Sequence, residues 1–414
     1  MRLRLPYGKR DIPVDIPDKN VLGIVKPNEL KLVNTSAIRD AILNPLATDR
    51  LKDKVESSDK VAIVVDDNTR PCPTKLIMPF LLENLNLPKK SITAIFACGS
   101  HEKVSDKDAR NLLGMPLNYI SSSSKYPNEF EYVGSTSRGT EVKLNKTYLE
   151  ADFRILIGDV ELHYFAGYGG GRKSILPGVS AYETIQSNHK LMFDRNCRLG
   201  NLENNPVHLD MLEAYELANV DFLVNVVQNA QRKLVGVYAG SHDAFYKCVE
   251  LVDRMCKVKI SEKPDIVVAA ADGHPHDIDF YQAIKAIQTV IEVIKEGGVL
   301  ILVCKCSNGI GSDIFYQAMQ KYSSSDEVKA HLLENFVMGV HKAYYLLKAL
   351  EKLNIILVSE IERNIVEHVF KLRYAKNIEA ALNLAFELVG RDSNILVSPN
   401  GSTTLVELNR NKNV

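Results

Sequence analysis

Short runs of apolar, β-branched residues recur along the chain at 61–65, 93–98, 154–157, 222–227, 265–270, 299–304, 355–358 and 395–397. Most lack the polar alternation of a half-exposed strand. Nearly continuous apolar runs of this length predict parallel strands buried on both faces. Between them, apolar positions repeat with helical period at 74–85, 181–192, 206–218, 243–258, 279–294, 326–336, 340–353 and 378–389. Ser180 with Glu183 three residues on reads as a capping box, and Asn205-Pro206 opens a helix with proline at its first position. Strands that alternate with helices predict an α/β fold, here two domains with mostly parallel sheets flanked by helices.

The polar stretch 259–264 separates a long helix from a new strand. It divides the chain into an N-terminal α/β domain, 1–262, and a C-terminal α/β domain, 263–414, whose last strand has the option of returning to the first domain. The expected active site is the interdomain cleft, closed by the second domain. The first 50 residues are irregular and predict an edge hairpin or a small added layer. The serine clusters 121–124 and 323–325 read as loop tips.

Composition then narrows the function. The chain has 414 residues with 45% hydrophobic and 25% charged, the profile of a folded globular protein. Lys plus Arg and Asp plus Glu both count 51, so there is no basic excess for nucleic acid. No apolar run reaches the ~18 residues of a membrane span, and the N-terminus has no apolar signal core. A cytoplasmic protein is expected. Seven scattered cysteines fit a reduced compartment, and Cys304 and Cys306 are spaced wrongly for a CxxC site.

In open parallel sheets, ligands bind beyond the carboxyl ends of the strands. The residues there are rich in chemistry: Asp66-Asp67-Asn68-Thr69-Arg70, Gly99-Ser100-His101-Glu102, Asp159-Val160-Glu161-Leu162-His163 and Asp272-Gly273-His274. The densest stretch runs from His163 to Gly178 and sets Lys173 among Gly167, Gly169, Gly170, Gly171 and Gly178. Glycines allow the backbone to approach a ligand closely. A GxxxxGK[ST] phosphate loop is a poor fit, because Arg172 precedes the lysine and Pro177 cuts any helix starting there. Lys173 is either a solvated lysine or an amine able to pair with phosphate or form a covalent link. His101 and His163 follow strands and suit a two-base reaction. His189 has no histidine four residues on, so there is no HExxH zinc site; a single imidazole still suffices for a metal whose other ligands come from a cofactor. Tyr281 and Lys285 share one helical face, with Gln282 one step round.

The motifs DDNTRP at 66–71, GSHE at 99–102, ELHYFAGYGGGRKSILPG at 161–178, ETIQSNH at 183–189 and DFYQAIKA at 279–286 together resemble the nickel-pincer nucleotide-dependent lactate racemase family. They occur in the family's order and span most of the chain. The resemblance implies that Lys173 carries a nickel-bearing pyridinium mononucleotide (pyridinium-3-thioamide-5-thiocarboxylic acid mononucleotide) through a thioamide, and that His189 is the protein ligand of the nickel. His101 and His163 match the paired acid/base histidines. Arg70 and Lys285 match cationic substrate contacts, with Tyr281 and Gln282 alongside, and Asp67 matches an acidic residue of the site. Gly170, Gly171 and Arg172 would help to hold the cofactor. The implied reaction is a transient oxidation: one histidine takes the hydroxyl proton of a 2-hydroxy acid, the C2 hydride passes to the cofactor, and both return on the opposite face. Accessory proteins that make the cofactor are implied as partners.

Lactate-specific members line the site with a tryptophan from the second domain, and this chain has none. Tyr344 or Tyr345 is the aromatic replacement in that region. The family's wider range, from lactate and malate to larger and sugar-derived 2-hydroxy acids, therefore stays open. Two other functions compete at the level of sequence: a P-loop-like ATPase built on 167–174, and a nickel-cofactor carrier without catalysis, which would have no use for two bases.

Overall fold

The computed structural model describes residues 1–409. It divides into two compact units, Leu30–Arg254 and a second formed by Met1–Glu29 together with Met255 onward.

In the first unit, the strands Val61–Asp66, Ile92–Gly99, Asn118–Ser123, Phe153–Asp159, Phe222–Gln228 and Leu234–Gly240 form one sheet. Numbered along the chain, their order across the sheet is 3-2-1-4-5-6. Every pair is parallel except the last, Phe222–Gln228 with Leu234–Gly240. Ile63, Val65, Ala94, Phe96, Ile155 and Val224 are fully buried on one face and pack with Ile77, Met78 and Leu81 of the helix Thr74–Leu85. That double burial is why these strands read as unbroken apolar runs. The strand order reverses between Val61–Asp66 and Phe153–Asp159, and a doubly wound sheet opens its ligand crevice at such a switch point.

The second unit holds an all-parallel sheet in the order Arg373–Tyr374, Asn354–Val358, Val299–Val303, Ile266–Ala270, Ile395–Ser398, Val21–Ile24. The N-terminal strands Arg2–Tyr7 and Arg10–Asp15 form the expected hairpin and bury Leu5, Val14 and Ile16 against this sheet. The division therefore differs from the expected one. Residues 1–29 join the C-terminal unit because Val21–Ile24 pair with Ile395–Ser398 and Gly8 N–H donates to the buried Asp277 carboxylate. The chain passes between units at 254/255 rather than 262. The strand Lys257–Ile260 replaces the end of the expected 243–258 helix, and it pairs with Leu405–Leu408, so the last strand stays in its own unit.

Other local expectations also change. The expected helix 279–294 is broken into Phe280–Ala283 and Lys285–Gln288, where bonding tightens to i→i−3 at Ile287. Ser121–Ser123 close an edge strand instead of a loop tip. Ser180 does not cap its helix; its hydroxyl donates to Ile175 O and Ala181 takes the cap position. Asn205 does cap as expected, receiving His208 N–H at 3.2 Å. None of the seven cysteines forms a disulfide, and all are buried. No helix among the described residues is long and apolar enough to cross a membrane.

Candidate active site

The expected residues of the first unit gather at the switch point. Asp67, one residue past the strand Val61–Asp66, is 2% exposed. Its Oδ1 receives the Thr69 amide at 3.0 Å and the Thr69 hydroxyl at 2.6 Å. Its Oδ2 lies 2.7 Å from His101 Nδ1. Burial pulls this carboxyl up, but the hydrogen bonds from His101 and Thr69 outweigh it and hold the group below the ordinary carboxylate range. Asp67 thus orients a half-exposed His101. Arg70 reaches Glu161 Oε1 at 3.4 Å across the switch point.

His163 sits in the two-residue strand Leu162–His163, paired with Gly167–Tyr168. Its ring stacks on Tyr164 (4.7 Å, 15°) and meets Phe165 edge-on (4.6 Å, 85°). Nδ1 receives the Ala166 amide at 3.2 Å, and Nε2 lies 3.1 Å from Lys173 Nζ. Burial, then the charges of Lys173 and Arg70, push His163 well below its ordinary value. Lys173 is pushed well below its own by burial and then by Arg70 and Arg172, with Glu161 and Asp66 opposing. The lysine amine therefore favours its neutral, nucleophilic form.

The glycine stretch is shaped by packing. Gly171 has φ +53°, donates its amide to Asn225 Oδ1 at 3.1 Å, and a Cβ there would stand 2.7 Å from the Phe245 ring. Gly170, at φ +71°, would push a Cβ within 2.7 Å of Val160. Arg172 is fully buried and turned inward: its guanidinium donates to Ala166 O (2.7 Å) and Tyr168 O (3.1 Å) and lies 4.6 Å from the Phe245 ring centroid. It braces the turn that carries Lys173. Residues 171–174 form only a single 3-10 turn, so no helix begins at the lysine as a phosphate loop requires.

His189 lies in the last turn of the helix Tyr182–Lys190, 2% exposed, with its ring 5.0 Å from Phe165 and Nδ1 3.2 Å from Asn188 Oδ1. Burial pushes it down to about 3, so the imidazole is neutral and able to ligate. Among the described residues, no group of three His, Cys, Asp or Glu side chains could hold a metal unaided. A metal at His189 must bring its other ligands with it. A lysine whose burial pushes it towards its neutral form, with a neutral histidine able to ligate, fits a tethered, metal-bearing cofactor in this respect.

Tyr281, Gln282 and Lys285 belong to the second unit. Asp279 caps their segment by accepting Gln282 N–H at 2.8 Å. Lys342, 4% exposed, donates to Tyr281 O at 3.0 Å and stands 4.8 Å from its ring centroid. Lys285 is exposed. Tyr344 and Tyr345 meet edge-on at 5.4 Å.

Sequence reasoning gave no individual role to four groups: Asp66, Asp159, Glu161 and the Ala166 amide. Burial raises Asp66 to about 6 and lifts Asp159 well above the carboxylate range. Asp66 and Asp159 end their strands and Glu161 follows in the loop, all within stretches that the sequence had singled out. A backbone amide leaves no trace in a sequence.

Two imidazoles held by different partners, one of them against a lysine amine, on a doubly wound scaffold, are groups able to move protons to and from a substrate. That is the equipment of a racemase. The comparisons agree. The lactate racemase N-terminal domain family matches residues 7–200, and the lactate racemase C-terminal domain family matches 259–406. Lactate racemase of Thermoanaerobacterium thermosaccharolyticum is 31% identical over 98% of this chain and 99% of its own; that of Lactiplantibacillus plantarum is 28% identical over 97% and 99%. The solved lactate racemase apoprotein of T. thermosaccharolyticum superposes with a TM-score of 0.91, covering 98% of this chain and 100% of that one. A Thermotoga maritima protein shares the fold at 18% identity, with a TM-score of 0.66 over 91% of this chain and 98% of that one. The chain belongs to the lactate racemase family and is an isomerase.

Proposed function

We propose that this chain racemises a short-chain 2-hydroxy acid, lactate first among them, with a nickel-pincer nucleotide attached to Lys173. The observation that carries the reading is the Lys173 amine held 3.1 Å from a buried imidazole. His189 would supply the single protein ligand to the nickel. When bound, the cofactor supplies a reversible acceptor for the C2 hydride. The chain supplies the rest. Arg70 binds the substrate carboxylate by charge-assisted hydrogen bonds; Lys285, of the second unit, is the other cation that the resemblance implies for substrate. His101, oriented by Asp67, exchanges the hydroxyl proton for one enantiomer, and His163 does so for the other. Tyr164 and Phe165 wall His163 from water. Accessory proteins that make and deliver the cofactor are the expected partners, and the cytoplasm the expected location.

Peptide-mapping mass spectrometry with a nickel assay tests the reading, on protein from a host that makes the cofactor. The expected result is a cofactor-sized adduct on the Lys173 peptide, about one nickel per chain, and interconversion of D- and L-lactate. Lys173→Ala should abolish the adduct. Absence of adduct and nickel, from a host shown to load a known racemase, would reject it. A chiral panel of 2-hydroxy acids then ranks substrates.

A further inference from the structure

The contact between His163 and Lys173 has a direction that the backbone fixes. Nδ1 of His163 receives the amide N–H of Ala166 at 3.2 Å. An amide N–H can only donate, so Nδ1 carries its lone pair. A neutral imidazole holds one ring proton, which must then be on Nε2, 3.1 Å from Lys173 Nζ. An ammonium has three donors and no acceptor, and cannot receive that proton. The contact is an Nε2–H donating to an amine lone pair. The reverse, an ammonium donating to a bare Nε2, would leave both ring nitrogens unprotonated. Stacking on Tyr164 and the edge of Phe165 hold the ring plane in this orientation. His101 is held the opposite way, with Nδ1 2.7 Å from the Asp67 carboxylate. In the neutral ring this contact puts the proton on Nδ1 and leaves Nε2 bare.

We propose that His163 is the positioning residue that keeps Lys173 a neutral, nucleophilic amine in the unloaded chain, so that covalent loading of Lys173 needs His163 before turnover does. The inference rests on Lys173 as the attachment site. In the loading step the Lys173 nitrogen forms a bond to the carbon of a thiocarboxyl group whose oxygen is activated as the leaving group, so that the C=S of the thioamide is retained. The leaving group departs with the electron pair of the broken bond, and the proton shed by nitrogen goes to the leaving group or to water. His163 loses no proton. It loses its acceptor, because an acylated nitrogen no longer offers a basic lone pair, and its Nε2–H is released from the lysine. Attachment thereby releases the ring, which still has to move its proton from Nε2 before Nε2 can take one from substrate.

Nitrogen-15 NMR of the unloaded chain, labelled at histidine and assigned with His163→Gln and His101→Gln, reads the tautomers directly. His163 should show a protonated Nε2 and a bare Nδ1, and His101 the reverse. Thiophenyl acetate then probes the amine. Lys173 should be acetylated ahead of exposed lysines such as Lys107; His163→Leu should lower its labelling by about tenfold, and His163→Gln, whose amide can still donate, should restore most of it. A bare Nε2 on His163, or equal labelling in His163→Leu, would overturn the inference even in a chain that loads and racemises. The expected tautomer and labelling, in a chain that takes no adduct from a loading host, would instead reject the reading of function.

Discussion

His101 Nδ1 lies 2.7 Å from the Asp67 carboxylate, and this contact decides which ring nitrogen of His101 can act as a base. With Nδ1–H donated to Asp67, Nε2 is bare and available to substrate. Thr69 adds two hydrogen bonds to the other carboxylate oxygen, so Asp67 cannot turn away.

Asp67→Asn keeps the shape and inverts this logic. An amide NH₂ facing Nδ1 favours the Nε2–H tautomer, which has no lone pair at the working nitrogen. The loaded variant should lose kcat by roughly 10²–10⁴-fold with little change in KM. Steady-state kinetics in both directions check it. Parental kcat would show that Asp67 does not set the tautomer.

The core was legible and the site partly so, for physical reasons. Val61–Asp66 and Val299–Val303 are buried on both faces and announce themselves as apolar runs. Asn118–Ser123 is a serine-rich edge strand whose sequence resembles a loop. Val21–Ile24 joins its sheet through a partner more than 370 residues away, which no local pattern can reveal. Asp67, His101, His163 and Lys173 were singled out by position after strands and by motif, and the structure sets Asp67 against His101 and His163 against Lys173. Arg172 stands next to Lys173 in the chain yet points inward, and only the carbonyls of Ala166 and Tyr168 explain why.

Gly171 should not tolerate a side chain. Alanine there combines a left-handed backbone with a Cβ 2.7 Å from Phe245. Gly171→Ala should cost roughly 2–4 kcal/mol and shift the lysine turn. Denaturant unfolding measures the first effect and acetylation of Lys173 the second. Unchanged stability would mean that Phe245 yields freely.

Acid should weaken the fold through His208 and His242. Burial, then the Arg172 charge, hold them at about 3 and about 4. Both are neutral in the folded chain, whereas the unfolded chain takes up their protons below ~6.5. Stability from each is complete above that value and is lost as pH falls towards 4, because the unfolded state binds more protons. Asp66, raised to about 6, works in the opposite sense, so the test is a difference between proteins. His242→Gln should be less acid-sensitive than the parent by on the order of 2 kcal/mol between pH 7 and 4.5. Parallel stability curves would count against the buried neutral ring.

Arg172→Lys is the sharpest test of how Lys173 is held. The guanidinium spans two backbone carbonyls and lies over an aromatic ring, with no carboxylate in ion-pair range among the described residues. A planar fork can satisfy both oxygens at once. A lysine ammonium reaches from one point, is more strongly hydrated, and leaves one carbonyl unpaired in the core. The substitution preserves charge and so isolates geometry. It should destabilise the chain by roughly 2–4 kcal/mol and reduce Lys173 acetylation in the fraction that stays folded. Arg172→Met separates the contributions: it abandons both carbonyls but also removes the cost of burying a charge. If geometry dominates, both variants lose Lys173 reactivity; if charge burial dominates stability, the methionine variant is the more stable of the two. A lysine variant with parental stability and reactivity would show that the turn holds its shape without the guanidinium.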